Sequence, residues 1–125
     1  MAWSLSRRKS HLIGTNLKKR VLSLLDEHPG IDGIFATVDV LAARIINILR
    51  QSHHNSKNVR IIGFDGIDIS EYLDISTIAQ PIQHMGELAI EELIKRMENA
   101  LMPERSILPT SLIRRSSTQR DCHER

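Results

Sequence analysis

The stretch Val59-Arg60-Ile61-Ile62-Gly63-Phe64-Asp65-Gly66 decides how the rest of the sequence is arranged. Its β-branched and aromatic residues, followed by an acid and a glycine, predict a buried strand that ends in a turn. In open α/β sheets, ligands bind at the carboxyl ends of the strands. Asp65 therefore stands at a position where a polar ligand would be held.

Helices and strands alternate on both sides of this stretch. Apolar residues at helical spacing predict three helices, over residues 16–27, 39–50 and 82–99. Short apolar runs predict strands over residues 33–38 and 76–80 and an edge strand beside Pro109. The last helix carries an apolar stripe so wide that it needs a large partner surface. The order strand–helix–strand requires a parallel pair, so the predicted fold class is α/β, a parallel sheet with flanking helices.

Composition narrows the class of protein without naming a partner. Hydrophobic residues make up 41% and charged residues 26% of the 125 residues, as in ordinary globular chains, and the formal charge is only +2. No apolar run is long enough to predict a membrane span, and the amino end has no secretory signal. The single cysteine, Cys122, excludes an internal disulfide. We expect a cytoplasmic protein.

The sequence lacks the motifs of the common enzyme classes. Neither G-x-G-x-x-G nor a P-loop nor a G-x-S-x-G elbow is present, and we predict no enzyme and no cofactor. Adjacent His53 and His54 have no acid or cysteine at ligand spacing, so no metal is expected. Asp65 and Asp68 stand at D-x-x-D spacing, whereas aspartate-dependent phosphotransferases use D-x-D; that activity remains an alternative. Asp39 begins a helix and is typical of a cap.

Five segments in order resemble the effector-binding domain of the lactose-repressor (LacI) family of bacterial transcription regulators. They are Ile31-Asp32-Gly33-Ile34-Phe35-Ala36-Thr37-Val38-Asp39-Val40-Leu41-Ala42, the opening stretch, Ser76-Thr77-Ile78-Ala79-Gln80-Pro81-Ile82, Met85-Gly86-Glu87-Leu88-Ala89, and Leu108-Pro109-Thr110-Ser111-Leu112-Ile113-Arg114-Arg115-Ser116-Ser117. Gly66 and Gln80-Pro81-Ile82 look most like sucrose-type repressors.

The resemblance implies a periplasmic-binding-protein-like fold, with two α/β lobes and a sugar or purine effector between them. Residues up to about Gln80 would form most of the carboxyl-terminal lobe. The chain would cross at Gln80-Pro81, so that the helix over residues 82–99 packs on the other lobe, and would return for a last strand. The fold would be incomplete, mostly one lobe plus one helix of the other.

The same resemblance implies the ligand-binding residues. Asp65 matches the acid that accepts hydrogen bonds from effector hydroxyls, and Gln80 and Ile82 match positions that line the cleft. Val38 and Asp39 complete the implied set. Val38 is a departure, because the family often has asparagine there.

A homodimer interface is implied at the helix that begins at Asp39 and the loop near Tyr72. Its candidate residues are Leu41, Arg44, Tyr72 and Leu73. Arg44 stands where the family usually has a small glycine.

The predicted organisation is an irregular basic leader over residues 1–15, a truncated effector-binding domain over residues 16–118 and a disordered tail over residues 119–125. The residues before 16 leave no room for the family's helix-turn-helix headpiece, so DNA binding is expected only through a missing segment. We therefore predict the sugar-binding and dimer-forming part of a repressor. A fragment of a sugar solute-binding protein is the alternative binding module.

Overall fold

The computed structural model describes residues 16–52, 59–98 and 105–119. The elements in chain order are α1 (Leu17–Glu27), β1 (Gly33–Phe35), α2 (Asp39–Gln51), β2 (Arg60–Asp65), α3 (Asp68–Tyr72), β3 (Ser76–Ala79), α4 (Ile82–Met97), β4 (Ser111–Ile113) and a 3₁₀ helix (Ser116–Thr118). The predicted α/β class is confirmed, because helices and strands alternate along these ranges. None of the helices in these ranges is long and apolar enough to cross a bilayer.

The sheet has the order β1-β2-β3-β4, and its first three strands are parallel. Ile34 lies opposite Ile61, and Asp65 lies opposite Ala79. Helix α2 connects β1 to β2 and packs against β2. The parallel pairing predicted from the strand–helix–strand order is confirmed, and it brings the carboxyl ends of β2 and β3 to one edge of the sheet.

The fourth strand makes the sheet mixed rather than purely parallel. β4 runs antiparallel to β3, with Ile113 opposite Thr77 and Leu112 opposite Ile78. A crossover helix that packs back on the sheet returns the chain for a parallel strand. Helix α4 has no buried residue and does not pack along the sheet in this way. The chain therefore re-enters from the opposite direction.

The core lies between α1, α2 and the sheet. Its buried apolar side chains are Leu17, Val21, Leu25, Ala36, Ala42, Ala43, Ile45, Leu49, Ile61 and Ile75. All of these side chains are aliphatic, in keeping with an aromatic content of only 3%. Along α1 and α2 the buried side chains recur at helical spacing, with Leu41 and Ile48 half-buried at the margin of the core.

The 3₁₀ helix fastens the end of the described chain to the sheet. The Ser117 hydroxyl donates to the Ile61 carbonyl at 2.6 Å and accepts from the Ser76 amide at 2.8 Å. The Arg115 guanidinium donates to the Ile75 carbonyl at 2.8 Å. The segment is polar because its side chains complete the hydrogen bonds of backbone groups at the sheet.

Helix α4 leaves the sheet with its apolar stripe uncovered. The stripe predicted from the sequence is present, and its large side chains are exposed: Ile82, Met85, Ile90, Leu93, Ile94 and Met97. A second lobe that would cover the stripe stays a prediction.

Other predictions differ from the structure or lie outside the described residues. The loop after Asp65 contains the short helix α3, and residues 106–108 form no strand. The leader over residues 1–15, the pair His53-His54, Cys122 and the tail after Gln119 fall outside the described ranges.

Candidate functional site

An open depression of about 990 Å³ lies at the carboxyl ends of β2 and β3. The turn between β2 and α3 forms one side, and the first two turns of α4 form the other. Its lining residues are Asp65, Gly66, Ile67, Asp68, Ile69, Gln80, Pro81, Ile82, Gln83, His84 and Glu87. This is the edge of a parallel sheet at which ligands bind in open α/β folds.

Asp65 and Gln80 are joined across the floor of the depression. The Gln80 side-chain amide donates to Asp65 Oδ1 at 2.8 Å, and the Gln80 backbone amide donates to the Asp65 carbonyl at 3.1 Å. Among the described residues, Gln80 alone is recorded as a donor to this carboxylate. Because an ionised carboxylate can accept about four hydrogen bonds, Asp65 retains capacity for ligand hydroxyls.

The turn that carries Asp65 has an unusual backbone conformation. Asp65 has a φ of 115° and Gly66 a φ of 79°, in the region that residues with a Cβ rarely adopt. Gly66 is also required by space, since a Cβ there would lie 2.5 Å from the Ala79 Cβ and 2.7 Å from the Ala79 Cα. Such strain is typical of functional sites.

The described lining is acidic. It includes the carboxylates of Asp65, Asp68 and Glu87 and contains no lysine or arginine. Gln83 donates to Glu87 at 2.9 Å across one turn of α4 and so fixes that carboxylate on the wall. Neutral, hydroxyl-rich molecules fit such a lining, because hydroxyls can donate to carboxylates and accept from the Gln80 and Gln83 amides.

Three of the five predicted ligand-binding residues, Asp65, Gln80 and Ile82, come together in this depression. Val38 and Asp39 do not line it; the contact of Val38 with a ligand stays a prediction, whereas the contact predicted for Asp39 is wrong. Val38 is an exposed apolar residue at the start of α2. Asp39 is fully buried, so that no effector reaches its carboxylate.

Asp39 serves the fold rather than capping its own helix. Val38 occupies the N-cap position of α2 and makes no side-chain cap, so the predicted capping role of Asp39 was wrong. Instead, Asp39 Oδ2 accepts the amides of Gly66 at 2.8 Å and Ile67 at 2.9 Å, and Oδ1 accepts the Thr77 hydroxyl at 2.6 Å. These bonds and the positive end of α2 compensate the burial of the charge.

The four predicted interface residues lie on two elements that pack against each other, α2 and the α3 region. Tyr72 is 80% exposed and Leu73 is 38% exposed. Leu41 and Arg44 are half-buried, and Leu41 contacts the core. The surface is thus dominated by Tyr72, whereas Leu41 divides its contacts between core and surface.

Sequence reasoning missed Asp68, Gln83, His84 and Glu87 as lining residues. From the sequence, Asp68 stood out only by its D-x-x-D spacing from Asp65, in the phosphotransferase alternative. The polar residues of α4 offered a signal, since they begin directly after the predicted cleft residues Gln80-Pro81 and so share their location.

The sequence matches a known protein family and two curated repressors. The profile of the family described as "Periplasmic binding protein-like domain" matches residues 3–118. The ribose operon repressor of Halalkalibacterium halodurans is 37% identical over 109 residues, which cover 82% of this chain and 32% of that protein. The sucrose operon repressor of Lactococcus lactis subsp. lactis is 29% identical and covers 77% and 27% of the two chains.

Solved structures agree with these relatives. The LacI family transcriptional regulator from Arthrobacter sp. FB24, crystallised in complex with lactose, matches with a TM-score of 0.71 and 31% identity, over 82% of this chain and 40% of that one. The chain spans about a third of the length of the curated relatives named here. The resemblance to LacI-family effector-binding domains is confirmed.

The Gly66 turn provides a test of the site's geometry. We expect Gly66→Ala to lower the free energy of unfolding by about 2–4 kcal/mol, because the new methyl group meets Ala79 and the φ is positive. Gly86→Ala is the matched control: a Cβ there meets nothing within 4 Å, and alanine should stabilise α4 by about 0.5–1 kcal/mol. Urea denaturation of both variants measures the difference, and equal effects would contradict the geometry described for the turn.

Proposed function

The chain belongs to the periplasmic binding protein-like domain family, and from this premise we propose that it is the sugar-effector-binding and dimer-forming part of a LacI-type transcriptional repressor. The observation that carries the proposal is the Asp65 carboxylate, oriented by Gln80 at the carboxyl end of β2 and open to the depression. Two of the named relatives are operon repressors and the third is a LacI family transcriptional regulator, and they support neither the solute-binding alternative nor the phosphotransferase alternative.

Effector binding suits the geometry better than catalysis does. A carboxylate whose one oxygen is already held by an amide forms directional, charge-assisted hydrogen bonds to ligand hydroxyls. Ile82 and Pro81 supply apolar surface for the C–H face of a sugar ring. In the proposed repressor, the effector shifts the equilibrium between conformations with different DNA affinity. We assign contact with operator DNA to no residue of this chain.

We propose a cytoplasmic location and a homodimer. Repressor function requires access to DNA, and one cysteine among 125 residues fits a reducing compartment. The dimer surface is the one formed by Tyr72, Leu73 and the exposed side of α2, where Val40 is 47% exposed. Exposed aromatic residues next to apolar ones are typical anchors of protein interfaces.

Replacement of Asp65 tests the ligand site. Asp65→Ala should weaken binding of the sugar that the full chain binds, from a panel of ribose, sucrose and lactose, by about 1.5–3 kcal/mol, because charge-assisted hydrogen bonds are lost. Isothermal titration calorimetry measures the affinity. Glu71→Ala, an exposed carboxylate on α3 outside the depression, is the control and should bind as the unaltered chain does. Unchanged affinity in Asp65→Ala would remove Asp65 from the site.

The acidic lining predicts a preference for uncharged sugars. Ribose 5-phosphate should bind about tenfold or more weakly than ribose, because its phosphate is repelled by the carboxylates of Asp68 and Glu87. Glu87→Gln should narrow this difference, because it removes one of the repelling charges and keeps an oxygen that accepts hydrogen bonds from hydroxyls. Competition titrations at low ionic strength measure both affinities, and tighter binding of the phosphate would contradict the predicted preference.

The dimer proposal predicts a concentration-dependent mass. Tyr72→Glu should raise the dimer dissociation constant by about tenfold or more, since it places a charge at an apolar interface anchor. Lys19→Glu, an exposed change of charge on α1, should leave the constant unaltered. Sedimentation equilibrium distinguishes these results, and a monomer at all concentrations in the unaltered chain would refute this interface.

A further inference from the structure

We propose that Asp39 is a positioning residue that holds the Asp65 turn in its ligand-facing conformation. The inference rests on the proposed role of Asp65 in effector binding. Asp39 never touches the ligand in this scheme, because its carboxylate is fully buried. It acts through the backbone of the two residues that follow Asp65.

Asp39 holds the turn through two backbone hydrogen bonds. One carboxylate oxygen, Oδ2, accepts two consecutive amides, those of Gly66 at 2.8 Å and Ile67 at 2.9 Å. Two donors that converge on one fixed acceptor set the orientation of both peptide planes. Because Gly66 follows Asp65 directly, the peptide plane between them is one of the two that Asp39 holds.

The Asp39 carboxylate is itself fixed in place by its neighbours. Its other oxygen accepts the hydroxyl of Thr77, a fully buried residue of β3, at 2.6 Å. Gly63 leaves space for this carboxylate, since a Cβ at Gly63 would lie 2.1 Å from Asp39 Oδ1. The acceptor is thus fixed by its own helix, by β3 and by the backbone of β2.

The turn at Asp65 and Gly66 needs these hydrogen bonds because its backbone is strained. Asp65 and Gly66 have consecutive positive φ angles of 115° and 79°. An aspartate is strained in that region and stays there only because its surroundings hold it. The same conformation directs the Asp65 carboxylate to the Gln80 side chain at 2.8 Å. Without Asp39, the two amides lose their buried acceptor, and the turn relaxes toward conformations in which Asp65 leaves Gln80.

A general contribution of Asp39 to folding is the competing explanation, and three variants of the full chain separate the two. Asp39→Ala removes the carboxylate that accepts the Gly66 and Ile67 amides. Asp39→Asn keeps an oxygen for the two amides and an amide group for Thr77, so it should rescue most of the geometry. Leu49→Ala removes a buried side chain of the same helix, 4% exposed and outside the depression, and destabilises the fold without touching the turn.

Nuclear magnetic resonance measures the conformation of the turn separately from the stability of the whole fold. In Asp39→Ala we expect loss of hydrogen-exchange protection at the Gly66 and Ile67 amides relative to the rest of the sheet, and an altered HN–Hα coupling at Asp65. Ribose affinity, where the unaltered chain binds ribose, should fall about tenfold, as expected when a charge-assisted contact is misplaced. Leu49→Ala should lower the melting temperature while leaving the relative protection, the coupling and the affinity unchanged.

Unchanged protection and coupling in Asp39→Ala would overturn the inference, whether or not ribose binds. Equal changes in Leu49→Ala would also overturn it, because the effect would then follow stability alone. If Asp39→Ala does not fold, Thr77→Val, which removes only the hydroxyl that anchors Oδ1, takes its place with the same expected changes. If the turn responds to Asp39 but no sugar of the panel binds the unaltered chain, the proposed function fails while the positioning role stands.

Discussion

The structure depends on one buried charge, the carboxylate of Asp39. Burial of an unpaired carboxylate costs several kcal/mol or more, so the surrounding structure must supply donors in fixed places. Gly66, Ile67 and Thr77 supply them from two other segments of the chain. The beginning of α2, the turn after β2 and the strand β3 are therefore constrained together. The turn that these bonds constrain is the turn that forms one wall of the ligand depression.

Glycines complete this arrangement by leaving space rather than by adding contacts. At Gly63 the missing side chain admits the Asp39 carboxylate, and at Gly66 it admits the close approach of Ala79. Both glycines lie in the stretch from which the fold was predicted. At Gly66 the sequence had indicated a turn, and the structure has one there, with a φ of 79°. At Gly63 the sequence had indicated only a position within a strand. The structure shows that one of them belongs to the packing of a charge within the sheet.

Local sequence patterns predicted the helices and strands well, but they could not predict hydrogen-bond partners that are far apart in the sequence. Helix α2 and strand β2 were predictable because periodicity and β-branched residues act over a few neighbours. The partners of Asp39 lie 27, 28 and 38 residues away, so its capping role was the natural and wrong local reading. The five-residue helix α3 is too short for a periodic signal. The ligand-site residues came from resemblance to a family, and the structure brought Asp65, Gln80 and Ile82 together and set Val38 and Asp39 apart.

The antiparallel pairing of β4 has a consequence for how the chain reaches its final state. β4 is the last strand in chain order, and its pairing with β3 covers one edge of the described sheet. A strand edge without a partner presents its free N–H and C=O groups to other chains. Until β4 docks, β3 is a bare edge of this kind. Newly made chains are therefore open to aggregation through strand addition during that interval.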